Sequence, residues 1–397
     1  MLLTGYFYLK KQNAGQEPVK IHEGGNKMLG ENIKKLGFGL MRLPKIGQEE
    51  DIEQTKQMVD IFMSKGFTYF DTAYVYDNGK SEMALKEAVV DRYPRDSFYC
   101  ASKLPLWSTT SEDQLAGLAQ ESLDRAGVEY FDFYLVHCLG RELFDKAERL
   151  NVFPFMEKFK AEGKAKHIGF SFHDSAELLE EILQKHPEME FVQLQINYKD
   201  WEDEVVQSRK CYEVARKYGK PIIIMEPVKG GSLVTMPEAV QELFKSVQPD
   251  LSIASWAIRY AASLEGVMVV LSGMSNLDQL NDNVGYMENF QPLSEKEQET
   301  VAKAVDIINA LPTIPCTACK YCVDGCPMSI NIPGIFKAMN HYTVYNNLEA
   351  AKKQYLEATK DGGKAGDCIQ CGQCMEHCPQ HIEIIETLQK AAEIFGE

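Results

Sequence analysis

The chain has 397 residues, of which 45% are hydrophobic and 25% charged, and its 58 acidic against 42 basic side chains give a net charge of −16. This length is typical of two domains or of one large barrel with an appendage, and the hydrophobic content excludes a disordered or collagen-like chain. A surface this acidic repels phosphate backbones and anionic lipids, so neither nucleic acid nor a membrane is an expected partner.

Residues 1–27 mix glycine, glutamine, asparagine and lysine, and we expect them to form a poorly ordered N-terminal extension. The first basic residues follow a short apolar stretch, which is the reverse of a signal peptide. No apolar run approaches the roughly 18 residues that span a bilayer. The sequence therefore predicts a cytoplasmic protein.

Residues 28–311 alternate short runs of aromatic and β-branched side chains with longer segments of helical period. Eight strands are predicted, at Leu36–Leu40, Thr68–Thr72, Phe98–Ser102, Phe131–Val136, Ala165–Phe170, Phe191–Ile196, Ile222–Met225 and Val267–Leu271. The helices predicted between them include Asp51–Lys65, Ser111–Ala126, Val205–Tyr218 and Leu251–Ala262. This alternation favours a closed (β/α)8 TIM barrel. The alternative is an open doubly wound sheet, but the glycine-rich turn that it predicts after the first strand is missing.

Polar side chains follow several of these strands, at the carboxyl ends where the active sites of such barrels lie. Asp71, Lys103 and His137 follow strands two, three and four, and Tyr76 lies on the loop after Asp71. Carbonyl reduction needs a proton donor, and a lysine held by an aspartate lowers the pKa of a neighbouring tyrosine. A histidine can orient the carbonyl oxygen. We therefore expect Tyr76 to be the general acid, although each of these residue types taken alone is more often structural.

Eight of the eleven cysteines follow residue 315, in two runs that share the spacing C-x2-C-x2-C-x3-C-P. In two-cluster bacterial ferredoxins this spacing binds two [4Fe–4S] clusters, and the fourth cysteine of each run ligates the other cluster. The expected ligand sets are Cys316, Cys319, Cys322 and Cys378 for one cluster, and Cys368, Cys371, Cys374 and Cys326 for the other. A disulfide framework is typical of small secreted proteins and structural zinc of paired ligands, so both alternatives are disfavoured.

Residues 312–397 are therefore expected to form a small, α-helical, ferredoxin-like iron–sulfur domain behind the barrel. Pro312 and Pro315 mark the boundary, and Leu348–Ala358 is predicted to be an amphipathic helix between the two cysteine runs. We expect Arg42 to be a surface or ion-pair residue, whereas Trp107 belongs either to the wall of the pocket or to the core.

The barrel segment resembles the aldo/keto reductase family over nearly all of residues 28–310. Its most specific feature is Asp71-Thr72-Ala73-Tyr74-Val75-Tyr76, followed by Ser81-Glu82, which is similar to the family signature D-T-A-x-x-Y…S-E. Ser102-Lys103 and Leu135-Val136-His137 are supporting matches. The resemblance implies a catalytic tetrad of Asp71, Tyr76, Lys103 and His137, with NADP(H) or NAD(H) across the mouth of the barrel.

The resemblance also implies a nucleotide-binding set. Ser171 and Gln193 match residues that hold the nicotinamide carboxamide, and Gly230 and Gly231 lie in the segment near the pyrophosphate. The segment around the adenosine phosphate is matched by Gly273, Ser275, Gln279 and Asn283. A helix N-terminus in that segment agrees with the binding of an anion.

The chain departs from the family at three places in this set. Phe172 stands where the family often has asparagine, and Met225 stands where an aromatic ring commonly stacks on the nicotinamide. The lysine and arginine that often clamp the 2′-phosphate align with Gly273 and Gln279. The choice between NADP(H) and NAD(H) therefore stays open.

As a whole, the chain resembles a recognised subgroup of reductases with a ferredoxin-like tail. The first hypothesis is an oxidoreductase that interconverts a small carbonyl substrate and its alcohol. The alternative is an electron-transfer protein whose clusters serve a redox partner while the barrel is a docking module, and a third reading is a barrel used for binding only. Coupling hydride to single-electron clusters normally needs a carrier such as flavin, for which the sequence shows no specific motif.

Overall fold

The structure, a computed structural model, describes residues 29–30, 32–345 and 348–396. The predicted extension, residues 1–27, lies outside the described residues. Eight strands form the barrel: β1 Leu36–Gly39, β2 Tyr69–Asp71, β3 Tyr99–Leu104, β4 Phe131–Leu139, β5 Ala165–Phe172, β6 Phe191–Gln195, β7 Ile222–Met225 and β8 Val267–Ser272. Neighbouring strands are parallel throughout, and β1 pairs with both β2 and β8. The predicted closed (β/α)8 barrel is confirmed.

Helices cover the outside of this barrel. They are α1 Ile52–Ser64, α2 Lys80–Leu85, α3 Gln114–Ala126, α4 Arg141–Arg149, α5 Val152–Ala161, α6 Ala176–Lys185, α7 Ser208–Lys217, α8 Glu238–Lys245, α9 Ile253–Ser263, α10 Leu277–Met287 and α11 Glu295–Asn309. A short antiparallel hairpin, Lys45–Ile46 with Glu49–Glu50, follows β1. It was not predicted, because two-residue strands leave no periodic pattern.

Side chains alternate between the two faces of each strand, and this alternation separates an inner packed layer from an outer one. Tyr69, Phe133 and Phe191 point to the barrel axis and are fully or almost fully buried, and the rings of Tyr69 and Phe133 lie 5.2 Å apart. Phe70 and Tyr134, one residue further along, pack outward against the helices. The barrel is therefore a filled core, and the groups available for chemistry are those at its carboxyl end.

The C-terminal segment has a separate hydrophobic core. Its helices are α12 Tyr321–Asp324, α13 Ile332–Tyr345, α14 Leu348–Thr359, α15 Gln373–Glu376 and α16 Ile384–Phe395. Tyr355 and Phe395 stack with ring centroids 4.4 Å apart, and Phe336 and Leu388 are buried beside them. This core agrees with the expected small helical iron–sulfur domain.

Helix α11 connects the barrel to that segment and is fixed at its start. Ser294 and Glu297 form a capping box, and Glu297 also pairs with the buried Arg259 of α9 at 2.8 Å. A cap and a buried ion pair set the direction in which the chain leaves the barrel. Among the helices that the structure describes, none is long and apolar enough to cross a membrane.

Candidate active site

Two buried charges meet where β2 and β3 end. The Lys103 ammonium lies 2.6 Å from a carboxylate oxygen of Asp71 and donates a second hydrogen bond, of 2.7 Å, to the carbonyl of Thr72. Burial alone would lower the pKa of Lys103, but the Asp71 carboxylate and the Tyr76 hydroxyl together raise it. Lys103 is therefore a fixed positive charge in the floor of the barrel mouth.

Tyr76 lies in a tight turn after β2, and its ring covers the Lys103 ammonium. Its ring centroid lies 4.8 Å from the Lys103 ammonium. Asp77 and Asn78, the next two residues, have left-handed backbone angles, and Lys45 of the hairpin holds Asp77 at 2.7 Å. Burial raises the pKa of the Tyr76 hydroxyl, and Lys103 opposes that rise. The hydroxyl is thus protonated at neutral pH and can donate its proton.

His137 lies within β4 rather than after it, because the strand continues to Leu139. Val136 pairs with Phe170 and Leu139 with Phe172, so two residues of β4 oppose the single residue Ser171 of β5. This bulge gives Cys138 a left-handed φ of 60°. A bulge re-aims the side chains beside it, and here it directs His137 into the mouth.

His137 is buried among aromatic rings and is uncharged. Its ring centroid lies 5.8 Å from that of Tyr76 and 4.9 Å from that of Trp107. Burial lowers the pKa of His137 well below its ordinary value, and Lys103 and His173 act in the same direction. Its Nδ1 has no hydrogen-bond partner among the described residues. A neutral imidazole of this kind can donate from Nε2 to an oxygen beside Tyr76.

The structure thus brings together all four members of the expected tetrad: Asp71, Tyr76, Lys103 and His137. A protonated phenol, a neutral imidazole donor and a buried cation surround one small region of the mouth. This arrangement can stabilise negative charge that develops on an oxygen and can protonate that oxygen.

Ser171 and Gln193 lie side by side at the same end of the barrel, since their strands pair at these positions. The Ser171 hydroxyl accepts a 2.7 Å hydrogen bond from the backbone of Cys138 in the bulge. Gln193 donates to the sulfur of Met225 at 3.6 Å, and its carbonyl oxygen is buried without a partner in the described residues. The Gln193 oxygen is therefore free to accept a hydrogen bond from a bound group.

Gly230 and Gly231 form the turn after β7. The backbone of Gly230 packs directly on the cysteine-rich segment, since a Cβ there would lie 2.0 Å from the carbonyl oxygen of Thr317. A Cβ on Gly231 would meet no atom within 4 Å. Of these two glycines, only Gly231 therefore has backbone that a bound group could approach.

The predicted phosphate segment, from Gly273 to Asn283, mainly bonds to itself and to its neighbours. Gln279 accepts from the backbone of Ser275 at 2.8 Å, and the Ser275 hydroxyl donates to the carbonyl of Arg42 at 2.8 Å. Asn283 is buried and donates to Ser272 at 2.7 Å. These side chains shape the loop and the start of α10, and Gly273 lies beside Arg42.

Arg42 has a different role from the one that we expected. Its guanidinium donates to the backbone carbonyls of Thr317 and Ala318 at 3.1 and 3.2 Å, so it joins the barrel to the iron–sulfur segment. Gln380 donates to Gln195 at 2.9 Å in a second link. Such long-range contacts leave no signal in a single sequence.

Tyr321 is the residue at the mouth that sequence reasoning missed. It lies between Cys319 and Cys322, and its hydroxyl is 3.4 Å from Nε2 of His137. Its ring centroid lies 6.0 Å from that of Trp107, which therefore belongs to the wall of the pocket. The sequence signal for Tyr321 was an aromatic residue inside a cysteine run. Cluster binding already accounted for the spacing of that run, so the tyrosine did not stand out.

The two cysteine runs line two cavities. The first is lined by Cys316, Cys319, Cys322 and Cys378, and the second by Cys326, Cys368, Cys371 and Cys374. Each cavity thus takes three cysteines from one run and the last cysteine of the other. Four cysteine side chains around one space fit the ligand set of a four-iron cluster. Among the described residues, no three acidic, histidine or cysteine side chains converge on a point that would suit a single metal ion.

A family model described as "Aldo/keto reductase family" matches residues 35–306, which is well over half of the chain. The chain belongs to the aldo/keto reductase family. A second model, described as "4Fe-4S dicluster domain", matches residues 315–383. The protein is therefore an aldo/keto reductase family oxidoreductase with a C-terminal 4Fe-4S dicluster domain.

Sequence relatives of this aldo/keto reductase cover different parts of it. "Aldo-keto reductase family 1 member C3" of Homo sapiens is 30% identical over 174 residues, which is 39% of this chain and 52% of the relative. The chain thus spans about half the length of the first curated relatives that it matches. "Uncharacterized oxidoreductase YqkF" of Bacillus subtilis is 25% identical over 296 residues, which is 67% of this chain and 90% of the relative.

Solved structures share the barrel fold. An aldo-keto reductase from Klebsiella pneumoniae in complex with NADPH has a TM-score of 0.55 at 18% identity and covers 68% of this chain and 90% of its own. The holo form of aldo-keto reductase AKR11C1 from Bacillus halodurans has a TM-score of 0.55 at 21% identity and covers 70% of this chain and 95% of its own. These similarities support the fold.

Proposed function

We propose that the protein interconverts a carbonyl compound and its alcohol with NADPH or NADH. The observation that carries this proposal is the convergence of Asp71, Lys103, Tyr76 and His137 at the mouth of the barrel. These groups match the chemical needs of carbonyl reduction, which are a proton donor and a stabilised oxygen.

Each residue has a distinct task. His137 donates a hydrogen bond from Nε2 to the carbonyl oxygen and holds it beside Tyr76. The phenol proton of Tyr76 passes to that oxygen as charge develops there. Lys103 stabilises the phenolate that remains, and Asp71 fixes the position of the lysine at 2.6 Å. In alcohol oxidation the same proton returns to Tyr76.

A nicotinamide nucleotide would supply the hydride that adds to the carbonyl carbon. Gln193 is suited to the carboxamide because its buried oxygen lacks a partner in the described residues, and the Ser171 hydroxyl lies beside it. The open backbone of Gly231 and the segment from Gly273 to Asn283 are suited to the phosphates. The choice between NADPH and NADH is left to measurement.

The proposal includes two [4Fe–4S] clusters in a domain that spans residues 312–397, behind a barrel that spans residues 28–311. Their ligands would be the four cysteines around each of the two cavities. None of the described cysteines forms a disulfide. The absence of disulfides among them and the proposed cluster ligands fit a reducing compartment, so a cytoplasmic location is part of the proposal.

Removal of the Tyr76 hydroxyl tests the function directly. In Tyr76→Phe the proton donor is lost, and carbonyl turnover should fall by about 10²-fold or more. The matched control is Tyr74→Phe, which removes a hydroxyl two residues away that bonds to Glu121 on the surface. The control should retain full turnover. Full turnover in Tyr76→Phe would refute the catalytic assignment.

One observation favours a second candidate, in which the clusters exchange electrons with a group bound at the mouth. Thr317 and Gln380 line the first cysteine cavity and also contact the barrel, whereas Cys371 of the second cavity is exposed. The first cavity thus lies against the barrel and the second reaches the surface. This arrangement suits the passage of electrons between a redox partner and the mouth of the barrel. Under this candidate, Tyr76→Phe would leave cluster-mediated electron transfer intact.

A further inference from the structure

The iron–sulfur domain inserts one side chain into the mouth of the barrel. The Tyr321 hydroxyl lies 3.4 Å from Nε2 of His137, and its ring faces Trp107 and His137 at centroid distances of 6.0 and 6.4 Å. His137 is the group that would hold a carbonyl oxygen. The oxygen of Tyr321 therefore lies where the oxygen of a substrate is expected.

The segment that carries Tyr321 is firmly docked. Arg42 donates to the carbonyls of Thr317 and Ala318, and Gly230 packs against Thr317 without room for a Cβ. Ala318 and Lys320 have left-handed φ angles of 55° and 71°, which turn the chain toward the mouth just before Tyr321. The phenol is thus held in place by contacts outside the site itself.

We propose that Tyr321 is an internal ligand that determines specificity: the substrate is a neutral aryl carbonyl compound that takes the place of the phenol. The Tyr321 ring packs beside the rings of Trp107 and His137, whose own centroids are 4.9 Å apart, and such an aromatic wall favours an aromatic occupant. Two cations at this end of the barrel are already engaged, Lys103 by Asp71 and Arg42 by backbone carbonyls. A neutral ring is therefore a better occupant than a carboxylate.

This inference rests on the proposed function for the reaction, but not for the binding site. Binding is measured by anaerobic calorimetry with p-cresol, which is the side chain of tyrosine as a free molecule. Tyr321→Ala should bind p-cresol at one site, and the wild-type protein should bind it at least about tenfold more weakly because its own phenol competes. Tyr321→Phe still fills the space and should also exclude p-cresol. The matched control is Lys337→Ala, an exposed change in α13 of the same domain, which should behave as wild type.

Kinetics with benzaldehyde supply the second measurement. The KM for benzaldehyde should be highest for wild type, lower for Tyr321→Phe and lowest for Tyr321→Ala, with little change in kcat. Each substitution weakens only the competition from the side chain at position 321. Equal p-cresol binding by wild type and Tyr321→Ala would overturn the proposal, and so would a higher KM for benzaldehyde in Tyr321→Ala. Visible absorbance of the clusters verifies that each variant is intact. If no protein reduces benzaldehyde but p-cresol still selects Tyr321→Ala, the internal ligand stands and the proposed reaction fails.

Discussion

At the scale of single residues, the two groups proposed to contact the substrate oxygen, Tyr76 and His137, are both uncharged. Burial raises the pKa of Tyr76 above its ordinary value and lowers that of His137 well below its ordinary value. The positive charge in the site is Lys103, which is paired with Asp71. In the proposed reaction, acid catalysis and oxygen binding are therefore separated from the fixed charge that supports them.

These shifts predict a flat pH profile for carbonyl reduction. Burial raises the pKa of the Tyr76 hydroxyl and lowers that of His137, and an acid donates its proton below its pKa, so kcat/KM for reduction should stay constant from neutral into alkaline pH and fall only where Tyr76 ionises. Alcohol oxidation needs the phenolate and should instead rise with pH. Initial rates measured in both directions across this range test the assignment. A decline of reduction near neutral pH would show that another group is the acid.

At the scale of elements, the eight strands could be predicted because their alternation and spacing are local properties of the chain. The bulge at His137 could not, because it depends on how β4 pairs with β5: Val136 and Leu139 face Phe170 and Phe172. The tetrad was predicted from the order of strand ends and a family signature. Arg42 was expected to be a surface or ion-pair residue, yet its hydrogen-bond partners are backbone carbonyls about 275 residues further along the chain.

The turn after β7 offers a test of how the two domains dock. Gly230→Ala introduces a Cβ that would clash with the backbone of Thr317, whereas Gly231→Ala adds the same strain at positive φ without any clash. The strain at positive φ should cost each variant about 1–2 kcal/mol of stability, and the clash in Gly230→Ala should add to that cost. Only Gly230→Ala should loosen the iron–sulfur domain, which limited proteolysis of the segment 310–315 would detect. Equal proteolysis of the two variants would contradict the described contact.

At the scale of the whole molecule, a two-domain chain encloses one site. The barrel supplies the tetrad, and the second domain covers its mouth with Tyr321 and with the segment bound by Arg42. The sequence predicted both domains, since each has its own spacing pattern. Their contact was not predictable, because no local pattern encodes which surfaces of two domains meet.

The crossed arrangement of cysteines predicts which variants behave alike. Cys378→Ser should match Cys319→Ser in its loss of iron, and Cys326→Ser should match Cys371→Ser, because each pair shares a cavity. Iron content and electron paramagnetic resonance of the reduced protein would show the grouping. Cys211→Ser, in α7 and outside both cavities, is the control. If variants from the same cysteine run lost iron alike, and variants from the same cavity did not, the crossed arrangement would be contradicted.

The central claim is that hydride passes from a nicotinamide to a carbonyl carbon at the barrel mouth. The most direct test mixes cluster-replete protein anaerobically with benzaldehyde and NADPH or NADH that carries deuterium at C4, in separate reactions for the two faces, and analyses the benzyl alcohol by mass spectrometry. We predict one deuterium on the carbinol carbon from one of the two faces, and product formation slower by about 10²-fold or more with Tyr76→Phe. Benzyl alcohol that contains only solvent hydrogen while the nucleotide is consumed would show that electrons reach the substrate by another route, and would contradict the account.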